Sequence, residues 1–208
     1  MLTPLLLSWE YPPRIVGDMA YYVESLTEEL NRAKTSVSVV TCRDSTGKYE
    51  RRSDLLEIYW ASNPVDPHVS VLTWCLTLNA EIERIVSDII YDKKDATHVL
   101  DIQDWHFVPA GVSLKRAHGL PFILTVHSLE EQRSPGSSGA LSSCIRGIET
   151  MGLIESDLVL VKTDQMKALI TEGYEVQKDK IVVVSNNGPN WGRRILAVYR
   201  EVARGRRA

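Results

Sequence analysis

Thr97 to Gly111 reads THVLDIQDWHFVPAG. Its first half is an apolar run, Val99 to Ile102, and its second half is a polar cluster of Gln103, Asp104 and His106 around Trp105. Pro109 then opens a helix that runs through Ala117, because proline lacks the amide hydrogen that a first helical turn leaves unused. A strand that empties into polar residues just before a helix is how open α/β sheets build binding crevices, with ligands beyond the carboxyl ends of the strands. The stretch therefore predicts a fold class and a place to look for function.

The same alternation continues on either side. Pro4 to Ser8 is an apolar run suited to a strand buried on both faces, and the double proline Pro12-Pro13 ends regular structure after it. Beyond Gly17, the residues Met19, Val23, Leu26 and Leu30 recur at helical spacing while Glu24, Glu28 and Glu29 face away. Asp18 is expected to cap that helix, carboxylates being good N-caps. Val37 to Thr41 and Leu55 to Ala61 read as strands, with Asp44 to Asp54 as a polar loop between them. Asp66-Pro67 reads as the start of a helix whose Leu72, Cys75, Asn79, Ile82, Val86 and Ile89 share one stripe.

Downstream, Pro121 to Val126 is a strand that delivers His127 and Ser128 to the same edge. Gln132 to Ser143 is rich in serine and glycine and reads as a mobile surface loop. A helix over Ile145 to Ile154, a strand over Asp157 to Val161, a helix over Asp164 to Glu172 and a last strand over Lys180 to Val184 complete the pattern. Strand and helix alternating throughout predict one doubly wound, Rossmann-like α/β domain over residues 3–188, with about seven mainly parallel strands.

Composition narrows the class. The 208 residues suit one large domain, and a net charge of −3 gives no general attraction to nucleic acid or anionic membrane. Cys42, Cys75 and Cys144 are three widely spaced cysteines without a CxxC pair, which argues against a disulfide framework or a zinc knuckle. No run approaches the ~20 apolar residues that cross a bilayer. The expected location is the cytoplasm.

Three ordered motifs carry a family resemblance: Ser8 to Ala20 (SWEYPPRIVGDMA), Asp104-Trp105-His106 with Ala110-Gly111, and Pro121 to Glu131 (PFILTVHSLEE). Together they resemble glycogen and starch synthases, glycosyltransferases of the two-lobed GT-B architecture. The resemblance covers roughly residues 3–188 and implies the amino-terminal, acceptor-side lobe. Asn187-Gly188 resembles the point where the linker to the second lobe begins. The chain instead proceeds to WGRRILAVYREVARG, whose Trp191, Ile195, Val198 and Val202 share a face. That segment, within 189–208, resembles the carboxyl-terminal helix that returns to the first lobe in GT-B enzymes, followed by a basic tail. The resemblance thus implies a glycosyltransferase without its second lobe, where the Arg/Lys pair and glutamate motif that hold the sugar nucleotide belong.

The resemblance also names site residues. Asp104 and His127 are the family-equivalent catalytic candidates. Tyr11, Gly17, Asp18, Gln103, Trp105 and Glu130 join them as substrate-binding candidates. Gly17 stands where the family brings backbone amides to a sugar or diphosphate, but the family's second glycine is Asp18 here, a carboxylate that would repel a phosphate. The family's histidine before Asp-Trp is Gln103, which hydrogen-bonds but carries no charge. Tyr11 and Trp105 lie near strand ends, placed to stack on sugar rings. Arg14 is the nearest basic residue to a motif, in a loop and with no partner evident from sequence. His98 and His118 are assigned to packing and capping.

A cation site from Asp101, Asp104 and His106 is a minor alternative that lacks a recognised spacing. No metal and no resident cofactor are expected. The family donor would be a nucleotide sugar such as UDP- or ADP-glucose. An oligosaccharide or glucan is the expected ligand, and a separate carboxyl-terminal lobe or a second copy of the chain is the expected protein partner. Three readings stay open: half of a split glycosyltransferase, a non-catalytic carbohydrate-binding or scaffold domain, and a self-associating structural domain.

Overall fold

The computed structural model describes residues 1–43, 49–65, 68–174 and 176–205. Eight strands among them form one sheet: β1 (Leu2–Ser8), β2 (Val37–Cys42), β3 (Tyr49–Ser53), β4 (Leu56–Ala61), β5 (Thr97–Gln103), β6 (Phe122–Val126), β7 (Leu158–Val161) and β8 (Ile181–Val183). Their order is β3-β4-β2-β1-β5-β6-β7-β8, and every pairing is parallel except β3 with β4. The central strands are buried almost throughout, which is why their sequences are apolar runs and do not alternate.

The two faces are covered by different helices. On one, Leu6, Val39, Val99, Ile123, Leu158 and Leu160 pack with α1 (Asp18–Arg32) and α7 (Trp191–Ala203). On the other, Leu5, Leu7, Leu100, Ile102, Leu124 and Val159 pack with α2 (Val71–Asp92), α3 (Val108–His118), α5 (Ala140–Glu155) and α6 (Asp164–Gly173). A short α4 (Glu130–Arg133) follows β6. The expected doubly wound α/β fold is what the chain adopts, as is a carboxyl-terminal helix laid back on the sheet.

The departures have local causes. Residues 49–53 of the expected loop are a strand, and 44–48 lie outside the described residues. β3 is exposed at all five positions and carries Glu50, Arg51 and Arg52, so neither face shows an apolar signal. Charged, single-partner strands of this kind are usual at sheet edges. The expected Asp66-Pro67 helix start lies outside the described residues; α2 begins at Val71, where Ser70 and Thr73 form a reciprocal capping box. The expected loop from Gln132 to Ser143 is reduced to residues 134–139 between α4 and α5.

The return of α7 was read from too narrow a stripe. Trp191, Ile195 and Val202 are buried and Val198 is half-buried, but Leu196 and fully buried Tyr199 share the interface. Each large apolar side chain there contributes roughly 1.5–3 kcal/mol by leaving water. Gly192 permits the approach to α1: a Cβ at that position would lie 2.3 Å from Glu29 Cβ. Replacing Gly192 by alanine should cost about 1–3 kcal/mol of unfolding free energy through overpacking, although alanine itself favours a helix by up to ~1 kcal/mol. Urea denaturation checks this, and a stabilised Gly192→Ala chain would mean that α7 does not press on α1.

Candidate functional site

The ends of β5, β6 and β7 bring polar residues to the α1/α7 face. Side chains two apart on a strand share a face. Val99, Asp101 and Gln103 on β5 therefore share a face with Ile123 and Thr125 on β6 and Leu158 and Leu160 on β7, and His127 and Lys162 follow just beyond the ends of those two strands; the pairings Gln103↔Thr125 and Thr125↔Leu160 fix the register. The sheet interior is apolar up to these positions. At its carboxyl edge it becomes a row of hydrogen-bonding groups.

Asp104 ties the floor of this edge together. Its backbone combines φ 58° with ψ −168°, an extended positive-φ conformation that is essentially glycine's own, so the turn is held against local strain. The turn aims its carboxylate at the next strand: Oδ1 accepts the His127 amide at 2.6 Å and the Ser128 amide at 3.3 Å, and Oδ2 accepts Ser128 Oγ at 3.4 Å. Burial lifts its pKa to about 6, against the lowering effect of the His127 amide and Arg133. In this geometry Asp104 holds loops together.

His127 stands at this edge, with one ring nitrogen hydrogen-bonded and the other buried. Nε2 lies 2.9 Å from Gln103 Oε1, an acceptor, so Nε2 carries the proton. Nδ1 is buried and has no partner. Burial, with Lys162 nearby, lowers its pKa to about 3. The Tyr22 ring meets the imidazole edge-to-face with centroids 4.7 Å apart, and Lys162 Nζ lies 5.4 Å from the Tyr22 centroid.

Beneath Gln103, Asp101 is fully buried at the centre of the sheet. It accepts Thr125 Oγ1 at 2.6 Å and the Tyr199 hydroxyl of α7. Burial raises its pKa to about 6, while hydrogen bonds from Thr125, Tyr199 and the Gln103 amide pull it down. Gln103 Nε2 makes no further bond of ordinary geometry.

The glycine turn after β1 is closed internally. Glu10 is buried, and its carboxylate accepts the amides of Val16 and of Gly17, the latter at 2.6 Å. Gly17 is the helix N-cap and Asp18 the first helical residue. The expected Asp18 cap is therefore wrong: Glu10 reaches the free amides from the end of β1, leaving Asp18 exposed in the first turn with a favourable dipole contact.

Tyr11 is also corrected. It is 1% exposed, pairs with Thr27 Oγ1 at 3.2 Å and offers no face to a sugar. Trp105 is buried as well, stacked on His106, whose ring also stacks on Trp9 with centroids 4.5 Å apart. Burial, with Arg133 and Arg14, lowers the His106 pKa to about 3. Arg14 donates to Trp9 O at 3.0 Å and lies over the Trp9 ring, a partner that the sequence did not reveal.

Glu130 is committed elsewhere. It accepts Ser142 Oγ at 2.6 Å and Arg133 Nε at 3.2 Å, and Arg133 also bonds Glu149 at 2.7 Å. Burial alone would raise the Glu130 pKa; hydrogen bonds from Ser142, Arg133 and Ser134 bring it below its ordinary value. Among the described residues, no group of three His, Cys, Asp or Glu is arranged to hold a metal ion. No helix among them is long and apolar enough to cross a membrane.

Residues 17–187 match the model of the glycosyl transferase 4-like domain family. The chain belongs to that family. It is 30% identical over 188 residues to an uncharacterised glycosyltransferase of Methanocaldococcus jannaschii, covering 89% of this chain and 46% of that protein. It is 26% identical over 195 residues to the glycogen synthase of Mycobacterium tuberculosis, covering 88% and 47%. The chain thus spans about half the length of the curated relatives it matches.

Solved structures share the fold. A sucrose-phosphate synthase of Thermosynechococcus elongatus designated by the segments 27–220 and 406–426 superposes with a TM-score of 0.72 at 15% identity, covering 96% of this chain and 98% of that one. Against the same enzyme without that designation the TM-score is 0.68, and only 48% of its chain is covered.

In this glycosyl transferase 4-like domain, sequence reasoning missed Lys162, Tyr22, Glu10 and Tyr199. Lys162 was detectable as the next member of the Leu158, Leu160 alternation; the others depend on contacts distant in sequence. A cavity of about 630 Å³ lies at the opposite edge, beside Lys115, Asp157, Tyr174 and Lys180. We place the candidate site at the carboxyl edge all the same, because His127, the buried carboxylates and the unpartnered polar atoms converge there.

The buried groups set a pH signature. Asp101 binds its proton more tightly folded than unfolded, so its contribution to stability falls as pH rises from about 4 to about 6. His127 and His106 stay neutral when folded, so theirs rises from about 3 towards their ordinary 6.5. The stability of Asp101→Asn relative to the parent should therefore climb between pH 4 and 6. Thermal unfolding across that range is the check, and a pH-independent difference would refute the raised pKa.

Proposed function

We propose that this chain is the acceptor-side half of a glycosyltransferase, binding an oligosaccharide or glucan at its carboxyl edge and performing no transfer by itself. The observation that carries this reading is the paired coverage: 98% of a two-segment form against 48% of the same enzyme. Family membership over 17–187 supplies the transferase chemistry as the frame. The second half would come from a separate lobe, with a nucleotide sugar such as UDP- or ADP-glucose as donor.

Energetics support inactivity in isolation. Fixing donor against acceptor in one cleft accounts for ~7–11 kcal/mol of barrier reduction, and one wall does not fix them. The transition state also needs donors and cations where charge develops on the departing diphosphate. Here the Val16 and Gly17 amides are taken by Glu10, Asp104 is tied to loop amides, and the His127 proton is engaged by Gln103. Lys162 is the cation best placed near the edge.

The filled amide cradle also favours a second reading, a scaffold that binds carbohydrate and has no catalytic partner. A cytoplasmic setting belongs to both readings, since all three cysteines are free thiols and such thiols suit a reducing compartment.

Transfer of radiolabelled sugar from UDP- and ADP-glucose to glycogen and maltodextrins tests the proposal, alongside calorimetric titration with maltoheptaose and with each donor. Weak maltoheptaose binding, no donor binding and no turnover are expected for the parent and for Gln103→His. Activity restored by a separately expressed second lobe would select the split enzyme over the scaffold. Turnover that stays with the lone chain through purification would overturn both.

A further inference from the structure

The carboxyl-terminal helix is linked to His127 through intervening side chains by two routes that start at different residues. We infer that α7 is a positioning element of the crevice, with Tyr199 and Trp191 acting as positioning residues that hold the His127 imidazole in one orientation and one tautomer. The inference needs only the geometry of this chain and goes beyond the glycosyltransferase reading.

The first route is polar. The Tyr199 hydroxyl donates to Asp101 Oδ2, and Asp101 Oδ1 accepts Thr125 Oγ1 at 2.6 Å. Asp101 and Gln103 are two apart on β5, while Thr125 and His127 are two apart along β6 and its end, so all four face α7 and α1. Gln103 Oε1 then receives the His127 Nε2 proton at 2.9 Å. The hydroxyl fixes the carboxylate, the carboxylate holds Thr125 and feels the neighbouring Gln103 amide, and the oxygen of that amide fixes the tautomer.

The second route is aromatic. The Trp191 ring lies 5.4 Å from the Tyr22 ring at 40°, and Tyr22 meets His127 edge-to-face at 4.7 Å. Tyr22 is therefore held between the first residue of α7 and the imidazole. Removing either support should loosen a ring that is otherwise pinned on an edge and on one nitrogen.

A simple adhesive helix would not need this arrangement. An apolar pair of similar volume in place of Tyr199 and Asp101 would pack the interface without burying a carboxylate, and such replacements are often neutral or stabilising. The polar pair sits where it does while Ile195, Leu196 and Val202 already supply the apolar contact.

The test is long-range proton–nitrogen NMR of the histidine rings in the full chain, with His127 assigned by comparison with His127→Asn. The parent should show a single Nε2–H tautomer that stays neutral well below the ordinary histidine range. Tyr199→Phe and Trp191→Leu should each introduce the second tautomer and raise the His127 midpoint by at least about one pH unit, the scale on which solvation and neighbouring groups move a pKa. Val198→Ala, on the same helix but off both routes, should leave the His127 signals in place even with a comparable loss of stability.

Unchanged His127 signals in a folded Tyr199→Phe or Trp191→Leu chain would overturn the inference. So would an equal response to Val198→Ala, which would reduce the effect to general loosening. If either key variant does not fold, the other decides. If neither folds, the parent spectrum does: an Nδ1–H tautomer there contradicts the geometry on which both routes depend.

Discussion

A buried carboxylate at the end of β5 sets the shape of the carboxyl edge of the sheet, where the candidate site lies. Asp104 leaves the strand in an extended positive-φ conformation and spends both oxygens on the start of the next crossover, at His127 and Ser128. Two neighbouring strands are thereby fastened where the sheet ends and the loops begin. Without that tie, two part-buried backbone amides would lose their partner, and the ~1–3 kcal/mol cost of a fully buried orphan is the upper bound for each. The helices on the other face obey the same requirement. Asn79 of α2 donates to His106 O and accepts the Ala110 amide, so the turn after β5 is held from behind as well as from the side.

Much of the fold was legible because buried parallel strands and amphipathic helices write different periods into a sequence. Val99 to Ile102, Pro121 to Val126 and Asp157 to Val161 could be read as strands from their apolar character alone, and each lies in the sheet within a residue or two. β3 could not, because a strand exposed on both faces has no hydrophobic pattern to show. The cap of α2 went unread because a Ser70–Thr73 pair is a weak local signal, although the two form the reciprocal box that starts the helix.

The placement of the candidate residues at the strand ends was legible, and their wiring was not. Gln103, Asp104 and His127 were found because they follow apolar runs, and proximity to a strand end survives any detail of packing. Their roles depended on partners that no local pattern reveals. Glu10 reaches Gly17 across seven residues, Gln103 meets His127 across twenty-four, and Tyr199 meets Asp101 across ninety-eight. Tyr11 shows the converse error, since a ring near a strand end need not face the crevice. Its partner Thr27 draws it into the core beneath α1.

The longest of these contacts also explains how a short helix at the end of the chain keeps its place. An amphipathic stripe such as Ile195, Leu196 and Val202 gains nearly as much burial after sliding along a flat apolar face as before it, so burial alone specifies register weakly. Slipping α7 by one turn, ~5.4 Å, would set an apolar side chain against Asp101 in place of the Tyr199 hydroxyl. The carboxyl group would then be buried without that partner, at a cost of about 1–3 kcal/mol or more for a charged group. The pair therefore adds little to the net attraction and much to the penalty for every other register. That penalty also keeps Trp191 against Tyr22, because the two residues of α7 move as one rigid element.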